Sequence, residues 1–488
     1  MKVLRLLFLF LFITTYSYAQ PPATEVRAVW LTTNWGLDWP TQGTTVESQK
    51  SQLRKILDQL KEENINTVLF QARAQGKVFY RSSIEPPSPY FNHSGGFDPL
   101  AFAIDECHKR GMECHAWIVT YTMAKAERKT VKRGKRKPQV VVNTTPKDDN
   151  YKLVNETWYL DPGHPKTSKL ILSLVKEIVS NYDVDGVHFD YIRYPSNSRK
   201  FPDEDTYKKY GKGMELYEWR RQNINRLVSS IYDEVKSIKN WVQVSSSPLG
   251  RYKVLHHISP NDGWTAYETV FQDAGYWMQS GKHDLLFPMM YYREHLFEPF
   301  LDDWVNNCNG RTIVPGVGIY QMMQSEQDWT LKDITSQLDY IRKNQVKGQA
   351  LFRTGNLINN LKGVRDTLRM YYPYPAKLPP LKWLDNEAPN SPLNLRAYKD
   401  DSGVFHLKWD APDNTENFTY TVYVSREDEP DVKDASGILE TGIRGNSFSF
   451  PYREGEFGMY YSVTASDRYH NESVPCISAF FSHSSNEQ

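Results

Sequence analysis

The sequence predicts an α/β chain in which a (β/α)8 TIM barrel is followed by a small all-β, immunoglobulin-like sandwich. Three observations predict it. Between Glu25 and Met370, apolar runs of strand length alternate with segments whose apolar residues recur at helical spacing, and eight such strand-then-helix units favour a closed barrel over an open sheet. Several of those runs begin apolar and finish in an acid, an arginine or a tyrosine, as barrel strands do where their carboxyl ends carry chemistry. Beyond a proline-rich stretch the period changes to two, in short segments at sandwich spacing.

The 488 residues accommodate one barrel of roughly 250–350 residues and a smaller module. Basic and acidic residues number 59 and 58, so charge gives no argument for a nucleic-acid partner. Aromatic residues make up 14% of the chain, a supply of flat faces that suits sugar stacking, although core packing also consumes aromatics. Lys2 and Arg5, the apolar run Leu6 to Ile13 and the small-x-small triplet Ser17-Tyr18-Ala19 read as a secretory signal over residues 1–19. That run is too short to span a bilayer, and no later stretch reaches the roughly 18–20 apolar residues that a transmembrane segment needs. No cysteine stands at the cleavage site to take a lipid. The expectation is an exported, soluble protein: periplasmic, cell-surface or secreted. Cys107, Cys114, Cys308 and Cys476 match no zinc spacing and read as mostly buried thiols rather than a disulfide framework.

In chain order, Glu25 to Leu31 is the first strand, and Thr32 to Pro40, rich in Trp, Asn and Asp, is the loop above it. Leu53, Ile56, Leu57 and Leu60 mark one face of a helix, and Ile65 to Arg73 is the second strand, ending in Gln71 and Arg73. Asp98-Pro99 is an N-cap with proline at the first helical position; the helix turns Leu100, Ala103, Ile104 and Cys107 inward and stops at Gly111. Glu113 to Thr120 is the third strand, with His115 and Trp117 on one face. Tyr121 to Tyr151 reads as a long irregular insertion. Its basic run, Arg128, Lys129, Lys132, Arg133, Lys135, Arg136 and Lys137, is either a solvated loop or a rim that attracts an acidic polymer. A helix carrying Leu170, Leu174, Val175 and Ile178 leads into the fourth strand from Val184. Val242 to Ser245, Leu285 to Glu294, Ile313 to Gly318 and Gly348 to Arg353 are the remaining strands. Helices occupy Leu216 to Ile238, Asp273 to Gln279, the region of Ile334 and Leu338, and Asn356 to Met370. The barrel thus covers 20–370, a stiff proline-rich linker 371–390, and the sandwich 391–488. Val404 to Trp409, Thr419 to Val424, Ser447 to Phe450 and Met459 to Ala465 alternate as sandwich strands, with Trp409 and Tyr461 as core anchors.

The fourth strand carries the functional reading. In Val184-Asp185-Gly186-Val187-His188-Phe189-Asp190-Tyr191-Ile192-Arg193-Tyr194-Pro195 the pleat places His188 and Asp190 on one face, Val187 and Phe189 on the other. Asp190 ends the strand and is the candidate active-site carboxylate; the bland alternative is a cap or turn former.

These residues resemble a known family. Trp158-Tyr159-Leu160-Asp161-Pro162-Gly163 and, one helix later, Asp185-Gly186-Val187-His188-Phe189-Asp190-Tyr191 are similar to motifs of the glycosyl-hydrolase-like family 10, also called the DUF187 or YngK-like family. Glu25 to Trp30, Gln71-Ala72-Arg73 with Glu85-Pro86, His115-Ala116-Trp117 and Pro288-Met289-Met290-Tyr291-Tyr292 extend the likeness over about Glu25 to Met370. The tail, with Trp409, Tyr423, Tyr461-Ser462-Val463-Thr464-Ala465 and Asp467, looks like a fibronectin type III domain. The resemblance implies an exported glycoside hydrolase, with peptidoglycan glycan strands as a substrate class. Many members carry a second acid directly after the position of Asp190; here that residue is Tyr191, so no role for it transfers.

Glycoside cleavage commonly needs two carboxylates, one raised in pKa to protonate the leaving oxygen. Asp190 fits that role. Glu294, after strand six, and Asp161 are the candidates for the second, with Glu85 and Glu156 in loops that could reach the same place; the alternatives are a turn or cap for Asp161 and a helix start for Glu294. Substrate contacts are expected from Arg73, His115, Trp117, His188, Tyr291 and Arg353, where Trp117 and Tyr291 offer stacking faces and the arginines pair with a carboxylate or form rim ion pairs. No metal and no cofactor is expected. A metal-dependent hydrolase using His115, His188 and Asp190 is the weaker reading because no close HxH pair ends a strand. The expected partner is a polysaccharide or glycan; the alternative function is a barrel that binds glycan without cleaving it.

Overall fold

The computed structural model describes residues 20–131, 139–142, 146, 148–196, 198–258, 263–412, 417–451 and 458–481; the expected signal segment lies outside them. Eight parallel strands form the barrel: β1 (Val26–Leu31), β2 (Thr67–Ala74), β3 (Glu113–Val119), β4 (Gly186–Asp190), β5 (Gln243–Ser246), β6 (Leu285–Leu286), β7 (Thr312–Ile313 continued by Gly316–Val317) and β8 (Gly348–Leu351). Each pairs with the next in chain order, and β8 returns to β1 through Val26↔Gly348 and Ala28↔Ala350, which closes the ring. Strand β7 is split. Its first half pairs with β6 and its second with β8, and Pro315, which has no N–H for the ladder, stands between them.

Helices follow the strands as their apolar spacing requires. Val46–Glu62 buries Leu53, Ile56, Leu57 and Leu60; Pro99–His108 is capped by Asp98, whose carboxylate accepts from Ala101 N. Leu216–Ile238 has the expected bounds. The last expected helix is instead two, Thr354–Ile358 and Val364–Tyr371, because Asn360, Lys362 and Gly363 between them hold positive φ. The insertion after β3 is not irregular. Thr122–Lys125 pairs with Thr157–Leu160, which pairs with Tyr151–Val154, and Arg128–Val131 forms a hairpin with Gln139–Val142. Its basic residues 132, 133 and 135–137 lie outside the described residues.

Alternation along the strands separates two cores. Outward side chains pack under the helices, whereas Val26, Ala28, Trp30, Leu69, Trp117, Phe287, Val314 and Ala350 fill the barrel itself. The C-terminal unit is two antiparallel sheets. One holds Leu393–Lys399, Val404–Asp410 and Ser447–Pro451, the other Ile438–Arg444, Thr419–Ser425, Met459–Ser466 and Ala479–Phe481. Between them Phe405, Trp409, Val422, Tyr461 and Val463 are buried.

Residues 371–390 are packed across the barrel's amino-terminal end. Lys377 N donates to Ala23 O, Leu381 is buried, and Trp383 Nε1 donates to Asp284 Oδ1 at 2.8 Å. The sandwich meets the same end through charge. Glu113, at the start of β3, receives His470 Nε2 at 2.7 Å, His115 Nε2 at 3.0 Å and Gln243 Nε2 at 3.0 Å. His470 Nδ1 donates to Pro379 O at 3.0 Å, so both ring nitrogens face acceptors and His470 is an imidazolium.

This contact makes the docking pH-dependent. Burial opposes both charges, but Glu113 and His470 charge each other: the glutamate is held well below its usual 4.5 and the histidine above its usual 6.5. The glutamate's contribution is present above its unfolded value and lost as pH falls through the lowered one; the histidine's is complete below its unfolded value and lost as pH rises through the raised one. Calorimetry should therefore find the unfolding temperature of the native chain highest between about pH 4.5 and 6.5 and declining on the alkaline side. That alkaline decline should shrink in His470→Gln; the same slope in both proteins would remove the pair from the explanation.

Candidate active site

Strand β4 ends in Asp190, and alternation puts it with His188 inside the ring while Val187 and Phe189 enter the helix-facing core. Asp190 Oδ1 accepts from Tyr191 N at 2.8 Å and from Ser247 Oγ, just past β5, at 3.0 Å. Its other oxygen receives no hydrogen bond among the described residues. Only 6% of the residue is exposed. Burial pushes its carboxyl above the usual range; the charge of Arg193, the Tyr191 N–H, the Ser247 hydroxyl and the nearby Trp117 indole oppose this without reversing it. A carboxyl held in place through one oxygen and raised in pKa is what a proton donor needs.

Beneath Asp190 lies His188. Trp30 Nε1, which can only donate, reaches His188 Nε2 at 3.2 Å, so that nitrogen carries no proton. His188 Nδ1 therefore donates to Ser245 Oγ at 3.0 Å. Burial, with His115 and His283 adding to it, holds the imidazole well below its usual value and keeps it neutral.

The placements correct several expectations of substrate contact. His188 is fully buried with both nitrogens satisfied. His115 sits lower still, opposite Gly186 at the start of β4, bonded to Glu113 at the barrel's foot. Trp117 belongs to the interior cluster; its buried indole N–H lies close enough to Asp190 to favour the carboxylate but makes no hydrogen bond of normal geometry, and its ring offers no open face. All three share the inward face with Asp190 but not its depth.

Both named arginines are rim ion pairs. Arg73 is fully buried and grips Glu85 with two bonds of 2.6 Å, while its remaining nitrogen donates to Val119 O and Thr120 O, tying the loop after β2 to the end of β3. This also occupies Glu85. Arg353 pairs with Asp38, whose carboxylate also accepts from Thr32 N and Gly355 N, both at 2.9 Å. Asp161 takes the turn alternative: it is fully buried, with one oxygen accepting from Gly163 N at 3.0 Å and the other from Thr206 Oγ1 at 2.6 Å, so it fastens a loop. Glu294 is exposed in the first turn of the helix Glu294–Asn306, where an acid favours the dipole, and no described contact joins it to Asp190. Exposed Glu156 occupies a turn between two strands of the insertion. Tyr291 lies within electrostatic range of Asp190, with no hydrogen bond between them among the described residues. It is half-buried, edge-on to Tyr320 at 5.4 Å, and burial first, with the charge of Asp190 among the further causes, raises its phenol well above the usual value.

Several residues of this end escaped the sequence reading. Ser247 is one, since a lone serine past a strand carries no signal. Trp35, Tyr191 and Trp264 are exposed by 54%, 41% and 44% in the loops after β1, β4 and β5, where large aromatic faces await something flat. Tyr191 holds φ at 51°, turning the chain sharply after Asp190. Arg193 lies beneath the rings of Tyr191 and Trp264. The available signal was position: each stands within a loop that directly follows a predicted strand.

Among the described residues no group of three or more His, Cys, Asp and Glu is placed to hold a metal, and no helix is long and apolar enough to cross a membrane.

The chain is similar to known proteins. The family model "Glycosyl hydrolase-like 10" matches residues 25–326. Glycosyl hydrolase YngK of Bacillus subtilis (strain 168) is 29% identical over 478 residues, 92% of each chain. Glycosyl hydrolase DigH of Escherichia coli (strain K12) is 30% identical over 385 residues, covering 70% of this chain and 87% of the relative. Among solved structures, the PgaB (BpsB) glycoside hydrolase domain from Bordetella bronchiseptica aligns with a TM-score of 0.48 at 13% identity, over 72% of this chain and 99% of that one. The chain belongs to the glycosyl hydrolase-like 10 family and is by class a glycan-acting hydrolase.

Proposed function

We propose that this member of the glycosyl hydrolase-like 10 family is an exported enzyme that cleaves O-glycosidic bonds within a polysaccharide, peptidoglycan glycan strands foremost, with Asp190 as the general acid. The observation that carries the reading is the Asp190 carboxyl: buried, raised in pKa and fixed through one oxygen by Tyr191 N and Ser247 Oγ, at the barrel end where the strands finish. Protonated, it delivers its proton to the leaving glycosidic oxygen. Trp35, Tyr191 and Trp264 supply faces on which sugar rings stack, and the Tyr291 phenol, raised well above its usual value by burial first, stays protonated. The C-terminal sheets are read as a fibronectin type III-like module, and the leader at residues 1–19 supports export.

Incubating the purified mature chain with peptidoglycan glycan freed of its peptides, and with a panel of bacterial and plant polysaccharides, tests this. Soluble oligosaccharides and new reducing ends accumulating with time are expected from at least one polymer. Saturable binding without product from any of them would make the barrel a non-catalytic glycan-binding module and overturn the reading.

A further inference from the structure

Among the described residues, Arg193 is a buried cation without a counter-ion. It is 7% exposed, its Nε has no hydrogen-bond partner, and its one hydrogen bond, from Nη1 to Tyr194 O, is 3.5 Å long. No described carboxylate forms an ion pair with it. The other deeply buried arginines differ: Arg27 holds Glu25 at 2.7 Å, Arg73 holds Glu85 at 2.6 Å and Arg220 holds Asp203 at 2.5 Å. Guanidinium does not escape the cost of burial by losing its proton, so an unpaired one calls for an anion from outside.

The surroundings say where that anion enters. The Arg193 guanidinium lies 4.8 Å from the Tyr191 ring centre and 5.1 Å from that of Trp264. Cation–π contact with two rings holds the guanidinium plane without giving its N–H groups an acceptor. Both rings are half-exposed, so the site opens on the substrate side rather than into the core. Asp190, three residues away, is near enough to feel the charge but does not pair with it.

We propose that Arg193, framed by Tyr191 and Trp264, is a specificity residue that receives the carboxylate of an acidic sugar next to the bond Asp190 protonates. The two aromatic faces take the ring and the guanidinium fork takes its carboxylate in two parallel hydrogen bonds. The chemistry is that of a carboxylated hexose, whether the acid is a ring uronate or an ether-linked lactyl group. This inference rests on the glycan-directed reading of the barrel's carboxyl end, and it assigns that end a preference for anionic over neutral polymers.

The test is affinity electrophoresis of the full native chain in gels containing one of three polymers: peptide-free glycan with its lactyl carboxylates intact, the same glycan with those carboxylates amidated, and an oligouronate. Amidation should weaken binding about tenfold. Arg193→Gln should bind the intact glycan about tenfold more weakly and the amidated one equally well, and Arg193→Lys should fall between. The oligouronate lane tells the ring acid from the lactyl acid. Equal retention of the intact and amidated polymers by the native chain, or no retention of any acidic polymer, would overturn the proposal without need of a variant. Equal losses on both glycans in Arg193→Gln would also overturn it, leaving Arg193 a residue that tunes Asp190. The readout is binding, so a failure of Asp190 as the acid shows separately, as retention of the glycan without product.

Discussion

Asp190→Asn is expected to lower product release by about 10²- to 10⁴-fold, the usual contribution of a positioned proton donor, while leaving the fold unchanged. The amide oxygen can still accept from Tyr191 N and Ser247 Oγ, the two bonds that fix the carboxyl, so the variant removes a proton and little else. The same change should raise the unfolding temperature at neutral pH. Burial lifts the folded pKa of Asp190 above its unfolded 3.8, so the native protein is penalised as pH rises through the lifted value. Asparagine carries no such penalty. The gain should therefore vanish below about pH 4, where folded and unfolded native chains both hold the proton. In the native enzyme, kcat should fall on the alkaline side as the acid loses its proton. Undiminished turnover by Asp190→Asn would remove Asp190 from the chemistry.

Arg73→Met should destabilise the barrel by about 3–5 kcal/mol, the range found when one member of a buried ion pair is removed. Methionine fills part of the space but leaves Glu85 buried without its two bonds and strips a donor from Val119 O and Thr120 O. Adding Glu85→Gln should restore part of the loss, and denaturant unfolding of the single and double variants measures the coupling. A loss under about 1 kcal/mol in Arg73→Met would mean that the pair does not hold the loop after β2 to β3.

The barrel was legible because its strands are apolar runs bounded by turn residues and its helices keep strict spacing. Reading failed where those signals weaken. Strands β6 and β7 came out shorter than expected, since Pro288 and Pro315 interrupt the ladder. The insertion hid its strands because they carry mixed, partly exposed side chains, and Leu393–Lys399 and Ile438–Arg444 were passed over for the same reason. In the candidate site, alternation gave the correct face but not the depth. His115, His188 and Asp190 point the same way, and only the register between strands shows that two of them lie under the third. Asp161 was legible as a turn former, which its bond from Gly163 N shows, but not its bond from Thr206, which is remote in sequence. Arg193 was visible as a residue; that it lacks a counter-ion is a property of three dimensions.

The column beneath Asp190 also bears on where a proton for its proposed role would come from. Trp30 gives an indole N–H that does not exchange roles, His188 stays neutral with its single proton on Ser245, and Ser245 Oγ finishes on the carbonyl of Val187 at 3.5 Å. A chain ending in a carbonyl cannot relay. With Asp190 in the proposed role of acid, insulation from below means that solvent arriving from above, by the route proposed for the sugar, returns the proton after each turnover, and a bound product that blocks this route also keeps the acid discharged.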